Sequence, residues 1–191
     1  MGADDAGALP SDEPPSSTNE DAFQPGPAVD GPDGGGGSGV VDVEDRAGAG
    51  RGVVSYVREK LGSALAHLGA RGGVRVAIVD DAAITHEHVR TLGVEGTTDV
   101  ITFDLADGAS EGGAPLDVDL LLCVDEARRR AGERSIPVER ELLLYALHGV
   151  LHCLGYDDTD DASFARMHAR EDEVLRAIGV GATFACGGEV A

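Results

Sequence analysis

The sequence predicts one small α+β domain, built from a mixed sheet of three to four strands and about five helices. Apolar residues recur at helical spacing in several long segments, which indicates amphipathic helices. Shorter segments are rich in valine, isoleucine and leucine and are bounded by turn residues, which indicates strands. The 191 residues are enough for one ordinary domain and an appendage.

The first three predicted elements lie between residues 51 and 93. A helix is predicted by apolar residues at helical spacing, namely Val53, Val57, Leu61, Leu65 and Leu68. Residues 72–80 alternate and carry β-branched side chains, which favours a strand. Residues 80–93, DDAAITHEHVRTLG, favour a short helix because aspartate can cap its start and glycine can end it.

Two further strands are predicted in the middle of the chain. Residues 99–105, DVITFDL, and residues 116–124, LDVDLLLCV, have the composition of strands. Residues 106–115 between them are rich in glycine and small polar residues, which favours a loop.

Three helices complete the predicted domain. The segment DEARRRAGER favours a helix directly after the last strand. Pro137 then begins a long helix, which Gly155 should end because glycine tolerates the left-handed conformation of helix stops. The last helix follows, capped at its start by Asp160 or by Asp161.

The two ends of the chain differ in composition from this domain. Residues 1–50 hold six of the eight prolines, eleven glycines, and eleven acids against one base. Such a segment buries too little apolar surface to offset its ordering entropy, so we expect a disordered acidic tail and linker. The folded domain should then span residues 51–180, and residues 181–191 should form a loose tail.

Charge and cysteine content limit the classes of function. The net charge of −20 opposes binding to phosphate, so an RNA partner requires a local basic surface. Three cysteines without C-x-x-C spacing form no disulfide framework and fit a reducing cytoplasm. The N-terminus has no signal-peptide pattern, and the longest apolar run, residues 142–155, is too short to cross a membrane. We also expect no dinucleotide cofactor.

The segment LHGVLHCLGYDDTDD carries the strongest chemical signal. His148 and His152 leave the same face of the predicted long helix, since residues four apart are neighbours there. Gly155 lets the chain reverse and bring Asp158 back toward the same point. Two imidazoles and one carboxylate with an open fourth position form a catalytic type of zinc site. We therefore predict that His148, His152 and Asp158 bind one Zn²⁺ at the end of this helix.

Two observations qualify this metal site. Its spacing is that of the metzincin peptidases with aspartate as the third ligand, yet Gly149 stands where those enzymes carry their glutamate base. The histidines also share a helical stripe with Leu144 and Leu151, so packed core histidines are the alternative interpretation. Cys153 lies about one residue's rotation from the histidine face and is interpreted as a core thiol.

The same segment, HGVLHCLGYDD, resembles the signature of the YbeY family of bacterial endoribonucleases and rRNA maturation factors. The matching residues are His148, Gly149, Leu151, His152, Gly155, Tyr156 and Asp157. Two further segments agree in order and spacing. TTDVITFDL resembles the family's T-D-V strand, and LDVDLLLCVDEARRRA resembles its G-D-I strand and following helix. The resemblance covers about residues 51–180.

The resemblance implies a cytoplasmic, metal-dependent endoribonuclease that cuts single-stranded RNA. It implies a role in 16S rRNA 3′-end maturation and ribosome quality control, with rRNA and the small ribosomal subunit as partners. His148, His152 and Asp158 would be the catalytic metal ligands. Two alternatives stay open: a ribosome-assembly factor with a structural metal, and a zinc metallopeptidase, which the missing glutamate disfavours.

Two departures from the family pattern bear on the candidate site. Asp158 replaces the family's third histidine, and Asp157 and Asp160 are nearby substitutes as ligand. The arginine that family members often carry before the T-D-V strand is replaced near Leu92, and Arg90 is the nearest stand-in.

The densest basic segment follows the third predicted strand. It contains Arg128, Arg129, Arg130 and Arg134, with Arg140 further along. Such a segment is either a solvated surface or a phosphate-binding rim beside the metal, for which guanidinium groups are suited. With Arg90, the first four are the predicted RNA contacts. Since aromatic residues are scarce, we expect recognition to depend mainly on the RNA backbone.

Overall fold

The computed structural model of this chain describes residues 39–106 and 115–183. Among them, the elements are β1 (Val40–Asp45), α1 (Arg51–Leu68), β2 (Gly72–Val79), α2 (Asp81–Leu92), β3 (Val100–Asp104), β4 (Leu116–Cys123), α3 (Val124–Arg134), α4 (Val138–Cys153) and α5 (Asp161–Ala177). This architecture confirms the predicted α+β class, with five helices and four strands. Most of the predicted acidic tail and of the loose C-terminal tail, and most of the predicted loop before β4, lie outside the described residues.

The four strands form one mixed sheet in the order β1-β2-β4-β3. Strands β1, β2 and β4 are parallel, and β3 pairs antiparallel with β4 at one edge. The helix α2 lies between two of these strands in sequence and packs against β3 and β4. Strand β3 forms one edge of the sheet. The helix α4, which carries the histidine segment, also contacts β3 and β4.

Strand β1 corrects the predicted domain boundary. Residues 40–50 were expected to belong to the disordered tail, but Val40–Asp45 pairs with β2 along its whole length. Val43 is 5% exposed and packs in the main core. The side chain of Asp45 accepts hydrogen bonds from the backbone amides of Ala47, Ala49 and Gly50, which shapes the turn into α1. This prediction was wrong because it relied on the composition of residues 1–50, although Val40–Asp45 alternates in the way that is typical of a strand.

The central helix α4 forms the middle of the core. It packs against α1, α3 and α5 on its sides and against β3 and β4 beneath. Its leucines Leu142, Leu143, Leu147 and Leu151 are fully buried. Burying each such side chain contributes about 1.5–3 kcal/mol, so these leucines anchor α4 in the core.

The ends of α4 and α5 fix the segment between them. The helix α4 begins after Pro137, as predicted, and the chain reverses at Gly155, whose φ of 87° is left-handed. Asp160 caps α5 by accepting from the amides of Ala162 and Ser163, so Asp160 and not Asp161 is the N-cap. The short loop between these points carries Asp158. No described helix is long and apolar enough to cross a membrane.

Candidate metal centre

The last turns of α4 bring His148 and His152 together on one face of the helix. Their Nε2 atoms lie 3.0 Å apart, and the two rings meet edge to face. The side chains are 22% and 35% exposed, so both can be reached from solvent. The alternative of two fully packed core histidines therefore does not describe this helix end.

The loop after Gly155 adds Asp158 to the pair. One carboxylate oxygen lies 3.7 Å from His148 Nε2, and the other lies 3.7 Å from His152 Nε2. One atom from each of the three residues falls within 4.8 Å of the others, which is close enough to hold one metal ion. The structure thus brings together all three residues that the sequence predicts as ligands.

Hydrogen bonds behind the rings determine which nitrogen atoms face this point. His152 Nδ1 lies 3.1 Å from the carbonyl oxygen of Tyr156, which can only accept, so Nδ1 donates. His148 Nδ1 lies 2.8 Å from the carboxylate of Glu171 and donates to it in the same way. In the neutral rings both Nε2 atoms are then unprotonated. Two lone pairs and a carboxylate converge on one point, an arrangement that a cation stabilises.

Glu171 contacts the histidine pair but is not among the site residues that the sequence predicts. Its side chain is 1% exposed, and its second oxygen lies 2.6 Å from His168 Nδ1. The contact with His168 is local, because the two residues lie one turn apart on α5, whereas the contact with His148 requires α5 to pack on α4. Burial opposes protonation of His148, but Glu171, together with the charges of Asp158 and Asp99, raises the pKa of the ring above its ordinary value.

The other two candidate acids have different roles. Asp157 accepts hydrogen bonds from the Asp158 amide and the Thr159 hydroxyl and so shapes the loop. Asp160 caps α5. Cys153 is buried, as predicted, and burial raises the pKa of its thiol to about 11.

Gly149 faces the sheet and not the metal centre. A Cβ atom at this position would lie 2.6 Å from Thr102 Oγ1 and 2.8 Å from Leu120 Cδ2. The glycine lets α4 approach β3 and β4 closely, since these contacts are too short for a side chain. In this packing, position 149 has no room for a glutamate side chain.

A cleft of about 720 Å³ opens beside His148 and Asp158. Its walls come from the turn before β3 and from α3, α4 and α5, and they include Thr97, Thr98, Asp99, Glu126, Arg130, Arg134, Glu141, Leu144, Tyr145, His148, Asp158, Phe164, His168 and Glu171. Buried Glu141, 1% exposed, accepts two hydrogen bonds from Arg134, at 2.9 and 3.0 Å. Burial raises the pKa of Glu141, although Arg134 acts against this shift.

The structure divides the predicted arginines into two groups. Arg130 and Arg134 line the cleft, and Arg130 also pairs with Glu126 and Glu133. Within the described part of the chain, Arg90, Arg128 and Arg129 are not among the residues that line it. These three pair with Glu87, with Asp125, and with Asp81 and Glu126, respectively.

Several known proteins have sequences similar to that of this chain. The family model described as Endoribonuclease YbeY matches residues 51–179. A protein named Endoribonuclease YbeY from Moorella thermoacetica is 36% identical over 137 residues, which cover 67% of this chain and 88% of that protein. A protein of the same name from Macrococcus caseolyticus is 37% identical, and the match covers 56% of this chain and 72% of that protein. Another from Anaeromyxobacter is 36% identical, and the match covers 73% of this chain and 72% of that protein. The match to a solution structure of a protein from Thermotoga maritima covers 78% of this chain and 99% of that chain, with a TM-score of 0.47 and 23% sequence identity.

Proposed function

The chain belongs to the endoribonuclease YbeY family, and on that basis we propose that it is a metal-dependent endoribonuclease that cuts single-stranded RNA. The observation that carries the metal dependence is the convergence of His148, His152 and Asp158 on one point. The donor set, two imidazoles and one carboxylate, suits zinc and leaves a coordination position open. Zinc is therefore the proposed metal, with one ion per chain.

The residues around this point have distinct proposed roles. A bound zinc ion would supply polarisation of a phosphoryl oxygen and would lower the pKa of a water molecule. Glu171 and the Tyr156 carbonyl hold the two imidazoles with Nε2 toward the ion. Arg130 and Arg134 line the same cleft and would pair with RNA phosphates by exchanging part of their present carboxylate contacts. An RNA that extends beyond the cleft would be needed for phosphate contacts with Arg90, Arg128 and Arg129, which do not line it.

The proposed biological role follows the family. We assign the chain to 16S rRNA 3′-end maturation and ribosome quality control in the cytoplasm, with the small ribosomal subunit as its partner. We also propose that the three ligands take the metzincin-like arrangement that their spacing in the sequence predicts. A peptidase function is disfavoured because Gly149 packs against Thr102 and Leu120, which leaves no room for the glutamate base of those enzymes.

Cleavage of an unstructured oligoribonucleotide by the purified full chain tests this function. We expect cleavage that stops when a chelator removes the metal and returns when zinc is restored. Asp158→Ala should abolish it, whereas Asp157→Ala, in the same loop, should retain it. Unchanged RNA processing by Asp158→Ala would contradict the proposal and favour an assembly factor with a structural metal.

A further inference from the structure

Phe164 is an exposed aromatic residue on the wall of the metal cleft. It is 51% exposed, while its neighbours on α5, Ser163 and Met167, are 3% and 0% exposed. Among the large apolar side chains that are exposed in the described ranges, it is the one aromatic and the one that lines this cleft. Single exposed apolar residues are common on protein surfaces, so its position beside the catalytic point is what requires an explanation.

The first turn of α5 holds Phe164 in place. Its amide donates to the Asp160 carbonyl at 2.8 Å, inside the turn that the Asp160 capping box fixes. Its ring lies 4.1 Å from the ring of His168, centroid to centroid, and the planes are at 89°. In an edge-to-face pair the imidazole covers at most one face of the phenyl ring, and about half of the Phe164 side chain is exposed.

His168 connects this aromatic pair to the metal centre. Its Nδ1 donates to Glu171, whose other oxygen accepts from His148. The buried carboxylate of Glu171 therefore holds both His148 and His168, the imidazole against which Phe164 packs. A group that stacks on Phe164 would lie at a fixed position relative to the point where the phosphate is cut.

The charge of the cleft favours a contact that does not depend on phosphate. Its lining holds five acids, Asp99, Glu126, Glu141, Asp158 and Glu171, against two arginines. Both arginines already pair with acids of the same lining. Since the whole chain carries −20, electrostatic attraction to an RNA backbone is weak. Stacking of a base on an aromatic ring is insensitive to this charge.

From these observations we infer that Phe164, supported by His168, is the platform on which one unpaired RNA base stacks beside the metal centre. This inference rests on the proposed endoribonuclease function and names the determinant of its preference for single strands. Bases in a duplex are stacked on their neighbours and cannot reach a ring on the side of a cleft, whereas an unpaired base can turn outward onto it. Stacking accepts any base, so the platform selects strandedness and not sequence.

Steady-state cleavage of an unstructured oligoribonucleotide by the full-length, zinc-loaded protein provides the first test. Phe164→Ala and Phe164→Leu should each raise KM about 5- to 150-fold, and Phe164→Tyr should stay close to the original protein. Phe164→Leu keeps an apolar side chain of similar size, so its defect reports the loss of the ring and not of packing. Val40→Ala, at a 52% exposed position on the opposite edge strand, is the matched control.

Fluorescence of 2-aminopurine, placed at successive positions of the oligoribonucleotide, provides a second test that needs no cleavage. The protein and Phe164→Tyr should quench the probe at one position next to the cut site, and Phe164→Leu should not. Equal KM values for the original protein, Phe164→Ala and Phe164→Leu, or equal quenching with and without the ring, would overturn the platform. A protein that quenches the probe through Phe164 but cuts no RNA would overturn the nuclease function and leave the platform intact.

Discussion

Glu171 Oε1 lies 2.8 Å from His148 Nδ1, although the two residues belong to different helices and are 23 positions apart in the chain. This contact fixes the imidazole so that its other nitrogen faces His152 and Asp158. Ordered carboxylates behind metal-binding histidines commonly raise the basicity of the ligand and hold its orientation. The candidate site therefore depends on α5 as much as on the histidine helix.

Replacing Glu171 should weaken metal binding without removing a ligand. For Glu171→Gln we expect about 10- to 100-fold weaker zinc affinity, because an amide supports the Nδ1 proton less well than a carboxylate. Competition with a chromophoric chelator measures this affinity. Glu173→Gln, an exposed position on the same helix, is the control, and equal affinities for both variants would show that Glu171 does not act on the metal.

A side chain at position 149 should destabilise the fold. The added methyl group of Gly149→Ala would meet Thr102 Oγ1 at 2.6 Å and Leu120 Cδ2 at 2.8 Å, so α4 must move away from the sheet. We expect a loss of about 1–3 kcal/mol in the free energy of unfolding, measured by urea denaturation. Gly132→Ala, on α3 with open space around it, should stabilise or be neutral. A Gly149→Ala protein as stable as the original would contradict the close packing.

Loss of Arg134 should make stability depend on pH. Arg134→Ala leaves Glu141 buried without its strong partner, which raises the already elevated pKa of this carboxyl further. A raised folded-state pKa favours the protonated form, so the variant is least destabilised in acid and loses stability as pH rises from about 5 to about 8. Urea unfolding across this range measures the effect.

The double variant Arg134→Ala/Glu141→Gln is the control for this pH effect. It removes the titrating group and should lose the pH dependence that the single variant gains. A destabilisation by Arg134→Ala that is constant with pH would contradict the account.

Two truncations of the N-terminus should distinguish the contribution of residues 1–38 to stability from that of β1. Removal of residues 1–38 should leave the thermal midpoint unchanged, whereas removal of residues 1–45 deletes a strand that pairs with β2 at six positions and exposes the contacts of Val43. The second truncation should melt at lower temperature or fail to fold. Equal midpoints would show that β1 adds nothing to stability.

Local signals in the sequence predict most of the fold and the three candidate ligands. Helical spacing identifies α1 and α4, and the histidine spacing with Gly155 identifies the point on which Asp158 converges. These inferences succeed because each depends on residues that are close in the chain. Asp160 as the cap of α5 is another example.

The features that the sequence does not reveal depend on contacts between distant elements. Strand β1 was hidden within an acidic, glycine-rich segment, and it is stabilised by pairing with β2. The contact of Glu171 with His148 and the separation of Arg130 and Arg134 from the other arginines arise only when α3, α4 and α5 pack together. The place of Phe164 on the cleft wall likewise could not be predicted from the spacing of α5 alone.

The metal content of the purified chain tests the central claim most directly. Elemental analysis after zinc loading and desalting should give one zinc ion per chain for the original protein and for Asp157→Ala. The variants His148→Ala, His152→Ala and Asp158→Ala should each retain little or none. Equal zinc content in all five proteins would contradict the assignment of these three residues as the metal centre.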